Sequence, residues 1–441
     1  MRMEIPGMSK MNRTMHKLVP LLLATISVQA ADLPQNGDAK HEGVATCAAS
    51  QCHGSAVPRD GSNVMQNEYV TWTQNDPHAG AYEVLSNDLS QDIAARLGIG
   101  SARSAGICLD CHADNVSRDK RGERFQLSDG VGCEACHGGA ENWLSTHYNV
   151  PAVTHQNNVD AGLYPTESAA PRGELCLSCH LGTRDKFATH RIMAAGHPRL
   201  SFELDTFTEL WRTAGRQPHY RVDDDYRERK SAPTHSYTWA VGVLAEARQR
   251  LGLILDSQFS GDSMFPELGL YDCHACHRTM KTVQWRRLPR HGNAGPGVPF
   301  INDGTLVMSL AMVNAIAPES ADELEGALTE LHVAGSSNVE DIRAAAENLD
   351  GILRTIQSRL SPNTIRNRGD VVLREILSSA AEGNFLDYVS AEQAFMAVQM
   401  LAIELNNTPM EAALDDLAKS LENDEAYQPG QFGRLLENLG E

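Results

Sequence analysis

The chain is short of positive charge, has no cysteine to spare and carries no long apolar run beyond its first residues. Lys and Arg number 38 against 57 Asp and Glu, a formal charge of −19 over 441 residues. That excess of acid argues against nucleic acid and anionic membrane surfaces as partners, and for steered encounters with proteins that present basic docking surfaces. The one apolar run, Leu18–Val28, is eleven residues long, too short to cross a hydrocarbon core of about 30 Å. Arg13 and Lys17 precede it and Val28-Gln29-Ala30 follows it, which predicts a cleaved secretory signal peptide over residues 1–30. Its loss removes Arg2, Lys10, Arg13 and Lys17 together with Glu4, so the exported chain carries −22. No transmembrane segment is expected after cleavage.

Ten cysteines are present, and five short runs consume them all. Cys108-Leu-Asp-Cys111-His112, Cys133-Glu-Ala-Cys136-His137, Cys176-Leu-Ser-Cys179-His180 and Cys273-His-Ala-Cys276-His277 share the Cys-x-x-Cys-His spacing. Cys47-Ala-Ala-Ser-Gln-Cys52-His53 has four residues between its cysteines but keeps the histidine directly after the second. This is the attachment signature of c-type haem. Two sulfurs bond the haem vinyl groups and the next histidine becomes the proximal iron ligand. A disulfide framework would leave five Cys-His adjacencies unexplained, and the pairs lack the partner spacing of zinc fingers or ribbons. The expectation is five covalent haem c groups, with proximal ligands His53, His112, His137, His180 and His277. Covalent attachment follows export, so the leader and the motifs both place the protein in the periplasm or outside the cell.

From residue 31 to 302 periodic apolar stretches are few and turns are frequent. Such a region buries little core from side chains alone, and haem surface would supply the rest. His291–Gly304, rich in Gly and Pro, reads as a boundary loop. Residues 303–441 differ: no cysteine, one histidine, and recurrent helix starts at Ser320, Ser337, Ser361-Pro362, Ser390 and Thr408-Pro409. Val339, Ile342, Ala345, Leu349, Ile352, Ile356 and Leu360 recur every three or four residues, an amphipathic helix. The expected fold is mainly α: a haem-wrapping domain over 31–302 with little strand, then a bundle of five or six helices over 303–441. The bundle either buttresses the haem domain or serves docking or assembly into a homo-oligomer.

Seventeen histidines are present. With five proximal and His16 in the leader, eleven remain for five distal positions, a surplus that suggests bis-histidine irons suited to electron transfer. His78 follows Asp76-Pro77, an N-cap and a proline at N1. His147 lies four residues after Trp143. His190 and His197 flank Arg191–Gly196, and Gly196 can end a helix so that His197 turns inward. His235 heads an apolar stripe of Trp239, Val243, Ala247 and Leu251. These five are the candidate distal ligands. His41, His155, His219 and His291 are held in reserve, while His274 and His332 read as exposed.

Several of these stretches resemble the cytochrome c-554 family of multihaem cytochromes. They are Trp72 through His78-Ala-Gly-Ala-Tyr82, Cys108–His112, Gly130–His137 with His147 ten residues on, Cys176–His180 and Met193–Leu200. The resemblance covers roughly residues 40–220. It implies a mainly helical fold with haems stacked in pairs, His78 and His147 as distal ligands, and a second haem that lacks a protein sixth ligand. The chain departs from the family pattern of four haems in its fifth run, its helical extension and its widened first run. Twenty-five positions separate His53 from His78, which reads as an inserted loop.

Three functions fit. The first is a periplasmic carrier moving electrons between redox proteins. The second is a reductase or oxidase of a small nitrogen or sulfur compound at one open haem, with Cys108–His112 the first suspect and Cys47–His53 the next. Against it, there is no Cys-x-x-Cys-Lys run of the kind that holds the catalytic haem in pentahaem nitrite reductases. The third is a cytochrome whose subunits stack into a filament.

Overall fold

The computed structural model describes residues 32–61, 64–149, 152–213, 218–260, 266–277, 288–292 and 298–440. The expected signal peptide lies outside the described residues, as does much of the boundary loop expected over 291–304. Asp32–Glu441 forms one unit, and it is mainly helical. The only strand-like pairings among the described residues are two isolated bridges, His41–Arg121 and Tyr271–Ile301.

Up to about residue 165 the helices have ten residues or fewer, and the apolar clusters there are small. Leu85, Ala94, Ala102, Leu109 and Ala113 make one, and Ile93, Leu97, Ile192 and Ala195 another. The sequence explains this brevity, since turn-formers interrupt every apolar run. Asp88–Leu97 is typical: the Asn87 side chain accepts from the Ser90 amide, and Gly98 at φ 70° ends the helix. Caps of this kind satisfy end groups that short helices cannot satisfy internally.

The large core is assembled from longer helices: α1 (Ala169–His180), α2 (Leu204–Thr213), α3 (His235–Leu255), α4 (Gly304–Ile316), α5 (Ala321–Ala334), α6 (Val339–Arg359), α7 (Gly369–Ala381), α8 (Tyr388–Glu404), α9 (Thr408–Leu421) and α10 (Pro429–Glu437). α3 packs against α1 and α2 on one side of residue 302 and against α4, α6 and α8 on the other. One apolar cluster therefore runs from Leu177 through Trp239 and Leu251 to Leu436. α6 buries Val339, Ile342, Leu349, Ile352 and Ile356 as its periodicity requires.

The C-terminal region holds seven helices of nine residues or more among the described residues, against five or six expected. Ser361 caps its short helix as anticipated, in a reciprocal pair with Thr364. Elsewhere a neighbouring Asn or Asp does the capping: Asn338 rather than Ser337, Asp387 rather than Ser390, and Asn407 rather than Thr408. The amide or carboxylate oxygen of Asn and Asp reaches the exposed amides at least as well as a hydroxyl.

Candidate haem-ligand sites

Each attachment histidine faces one other histidine. Ring centroids lie 6.3 Å apart for His53 and His147, 6.4 Å for His112 and His197, and 6.5 Å for His137 and His219. They lie 6.1 Å apart for His180 and His78, and 6.0 Å for His277 and His190. Two imidazoles sharing a metal at about 2.0–2.1 Å per nitrogen have centroids roughly 6.2–6.5 Å apart. The gaps are thus too wide for ring contact and right for an iron between the rings. Interplanar angles range from 17° to 86°, which axial ligation permits, because each ring can turn about its own metal–nitrogen bond.

On five of these ten rings Nδ1 is held by a hydrogen bond. His53 Nδ1 meets Glu68 Oε2 at 2.9 Å, and His78 Nδ1 meets Asp76 Oδ1 at 2.8 Å. His112 Nδ1 donates to the Ala81 carbonyl at 2.9 Å, His147 Nδ1 to Leu144 at 2.7 Å and His197 Nδ1 to Pro198 at 2.8 Å. A proton fixed on Nδ1 leaves Nε2 as the free donor and sets the ring's orientation, the usual support for a metal-ligating histidine. Burial pushes His137 down to about 3, and burial also lowers His219. Both stay neutral, as an iron ligand must.

Local sequence places these side chains. Asp76 caps the turn Pro77–Gly80 and orients His78 by accepting from both its amide and its ring. Gly130 carries φ +74°, and a Cβ there would sit 2.7 Å from the His78 carbonyl oxygen. Only glycine allows that approach, which brings the His78 loop against the third attachment run. Glu134, inside that run, is buried and accepts from the amides of Glu42, Gly43 and Ala140 at 2.7, 2.7 and 2.8 Å. It stitches the run to the chain ahead of the first one. His190 and His197 flank the short helix His190–Ala194, beyond which Gly196 turns at φ 116°. One end of that helix faces His277 and the other faces His112.

The runs are interleaved. The Cys47 side chain lies beside that of Cys133, and the Cys111 side chain beside that of Cys179. The first and third runs therefore lie side by side, as do the second and fourth. A cavity of about 510 Å³ opens beside the first run, walled by Val44, Ala48 and Trp72 on one part and by Gln126, Ser128 and Asp129 on another. Cysteine pairs, facing imidazoles and an adjoining cavity fit covalent haem.

Four of the five histidines expected as distal partners stand opposite an attachment histidine: His78, His147, His190 and His197. The fifth does not. His235 Nδ1 meets Asp205 Oδ2 at 3.1 Å, and the stripe it heads is core: Trp239, Ala247 and Leu251 are fully buried among helices. The place opposite His137 belongs to His219, in the irregular segment before Asp224–Arg229. No local signal marks it, because its partner is far away in sequence. At the second run, which the resemblance leaves without a protein sixth ligand, His197 faces His112. His332 is buried against Asp303 rather than exposed, and His274 is half-buried against the Tyr388 ring at 5.1 Å. His41 is fully buried with Nδ1 on Asp114 at 2.7 Å, and His155 lies 3.0 Å from Glu167.

A mainly helical chain whose Cys-His runs each set a histidine against a second one is a multihaem c-type cytochrome. Residues 38–138 match the family model described as cytochrome c554 and c-prime, a match over that segment that supports membership of the family. No curated protein and no solved structure matches it.

Proposed function

We propose that the protein is an exported pentahaem electron carrier whose irons are all bis-histidine. The observation that carries this reading is the set of five facing pairs, each an attachment histidine with a histidine drawn from another stretch. Haem c supplies the one-electron redox chemistry. The chain supplies two axial imidazoles per site, hydrogen bonds that fix them, and contact between runs. Nδ1 bonds to Glu68 and Asp76 enrich His53 and His78 in electron density, which favours the oxidised state at those two sites.

Interleaving supports transfer along a chain of sites. The stretch after the first run provides His78 to the fourth, and the stretch after the third provides His147 to the first. No site is built from one segment, so positions are fixed by the whole fold. The acidic surface suits encounters with basic redox partners, and the leader suits the periplasm. No described helix is long and apolar enough to cross a membrane.

Intact mass and haem staining test the count: five covalent haems on a chain beginning near Ala31 are expected, and four would remove Cys47–Cys52 from the set. EPR of the oxidised protein should show only low-spin signals. A high-spin haem with nitrite- or hydroxylamine-dependent turnover would replace the carrier by an enzyme.

A further inference from the structure

Away from the attachment runs the structure gathers another pair of histidines around a carboxylate. His291 ends the turn Pro289–His291, Asp303 immediately precedes α4, and His332 lies near the end of α5. One ligand atom from each lies within 4.8 Å of the other two. The His291 and His332 rings are 5.0 Å apart, and Phe300 stacks on His291 at 3.6 Å.

The cluster is closed and incompletely bonded. His291 is 7% exposed and His332 2%, and Nδ1 of each is buried without a hydrogen-bond partner. A buried polar atom left unpaired loses its hydration with nothing in return, so two on neighbouring rings call for an occupant. Charge points to what kind. Arg290 binds Asp303 through Nε at 2.5 Å and Asp387 through Nη2 at 2.8 Å. Asp272, half-buried, lies within electrostatic reach of both carboxylates. Among the described residues Asp303 and Asp387 share this one guanidinium, so the pocket holds one more carboxylate than cation.

We propose that His291, Asp303 and His332 bind a divalent transition-metal ion, zinc before others. Two imidazoles and a carboxylate are a donor set zinc takes readily. The Arg290 hydrogen bonds on Asp303 are the support a ligating carboxylate normally receives. The ion ties the turn that follows the last attachment run to α4 and α5. Its role is structural, because all three side chains are buried.

The test uses the full-length holoprotein, stripped with a chelator, reloaded with zinc and dialysed. Elemental analysis should return one zinc per chain beyond the haem iron. His291→Ala combined with His332→Ala should lose that zinc. His332→Gln, which keeps a donor toward Asp303, should also lose it with an unchanged circular dichroism spectrum. Wild-type protein that takes up no zinc overturns the proposal, and so does zinc retained by both variants. The haem reading is judged separately, from iron content and the haem absorbance spectrum.

Discussion

His137 and His219 face each other edge to face at 6.5 Å, one inside the third attachment run and the other in an irregular stretch far along the chain. If His219 completes that site, His219→Ala should convert one low-spin haem to a high-spin form and open it to carbon monoxide. EPR and a carbon monoxide titration read this directly, with about one equivalent expected. His235→Ala should leave every haem signal in place. The reverse pattern would restore His235 as the ligand.

Gly130 makes a second prediction at the junction of two loops. Its φ of +74° and the 2.7 Å approach to the His78 oxygen exclude a side chain. Gly130→Ala should cost about 1–3 kcal/mol from backbone strain, with added displacement of the His78 loop. Because His78 faces His180, the change should appear at the fourth site as well as in the denaturation midpoint. A variant of normal stability and normal haem spectra would show that the loop can relax without cost.

These two cases mark what the sequence could and could not reveal. The attachment histidines are local, fixed by Cys-His adjacency, and so were readable one by one. His78 and His197 carried local signals, an Asx-Pro turn and a glycine helix end. His219 carried none, because what makes it a partner is a tertiary contact with His137. His235 misled for a physical reason: an aromatic and aliphatic stripe wraps a haem and packs a helix bundle equally well, and here it packs α3 into the core. His332 misled by its surroundings in sequence, which are those of a surface helix. Its burial depends on Asp303 and Arg290, neither adjacent to it.

A pH effect follows from Glu203, which accepts from the amides of Asp205 and Thr206 at 2.9 and 2.7 Å while 2% exposed. Burial, then the Asp205 charge, push its carboxyl up to about 7. An unfolded glutamate titrates near about 4.3, so between these values the folded state holds a proton the unfolded state has released. That contribution is full below about pH 4.3 and is lost as pH rises toward 7. At about 1.4 kcal/mol per pKa unit the loss is of the order of 4 kcal/mol, an upper figure because Asp205 titrates with it. Urea midpoints should fall between pH 5 and 8 in the wild type and fall less in Glu203→Gln, which cannot ionise and keeps one acceptor oxygen for the two amides. Parallel slopes in the two proteins would assign the effect elsewhere.

Lys186 bears on the redox sites themselves. Its Nζ lies 3.1 Å from Cys179 Sγ and 3.4 Å from the Asp110 carbonyl oxygen, between the second and fourth runs. A fixed cation there stabilises the electron-rich, reduced state of whichever site it is nearest. At an effective dielectric of about 20, a unit charge roughly 10 Å from an iron is worth about 1.7 kcal/mol. At about 59 mV per tenfold change for one electron, that is some 70 mV, reduced to a few tens of millivolts by the lysine's partial exposure to solvent. Lys186→Gln should therefore lower one or two of the midpoint potentials by that amount and leave the others in place. Lys186→Arg keeps the charge and should restore them. Spectroelectrochemical titration of the three proteins separates this from a structural role, because loss of packing alone would not be reversed by a longer cation. If glutamine and arginine variants titrate alike, the ammonium holds the two runs together and sets no potential.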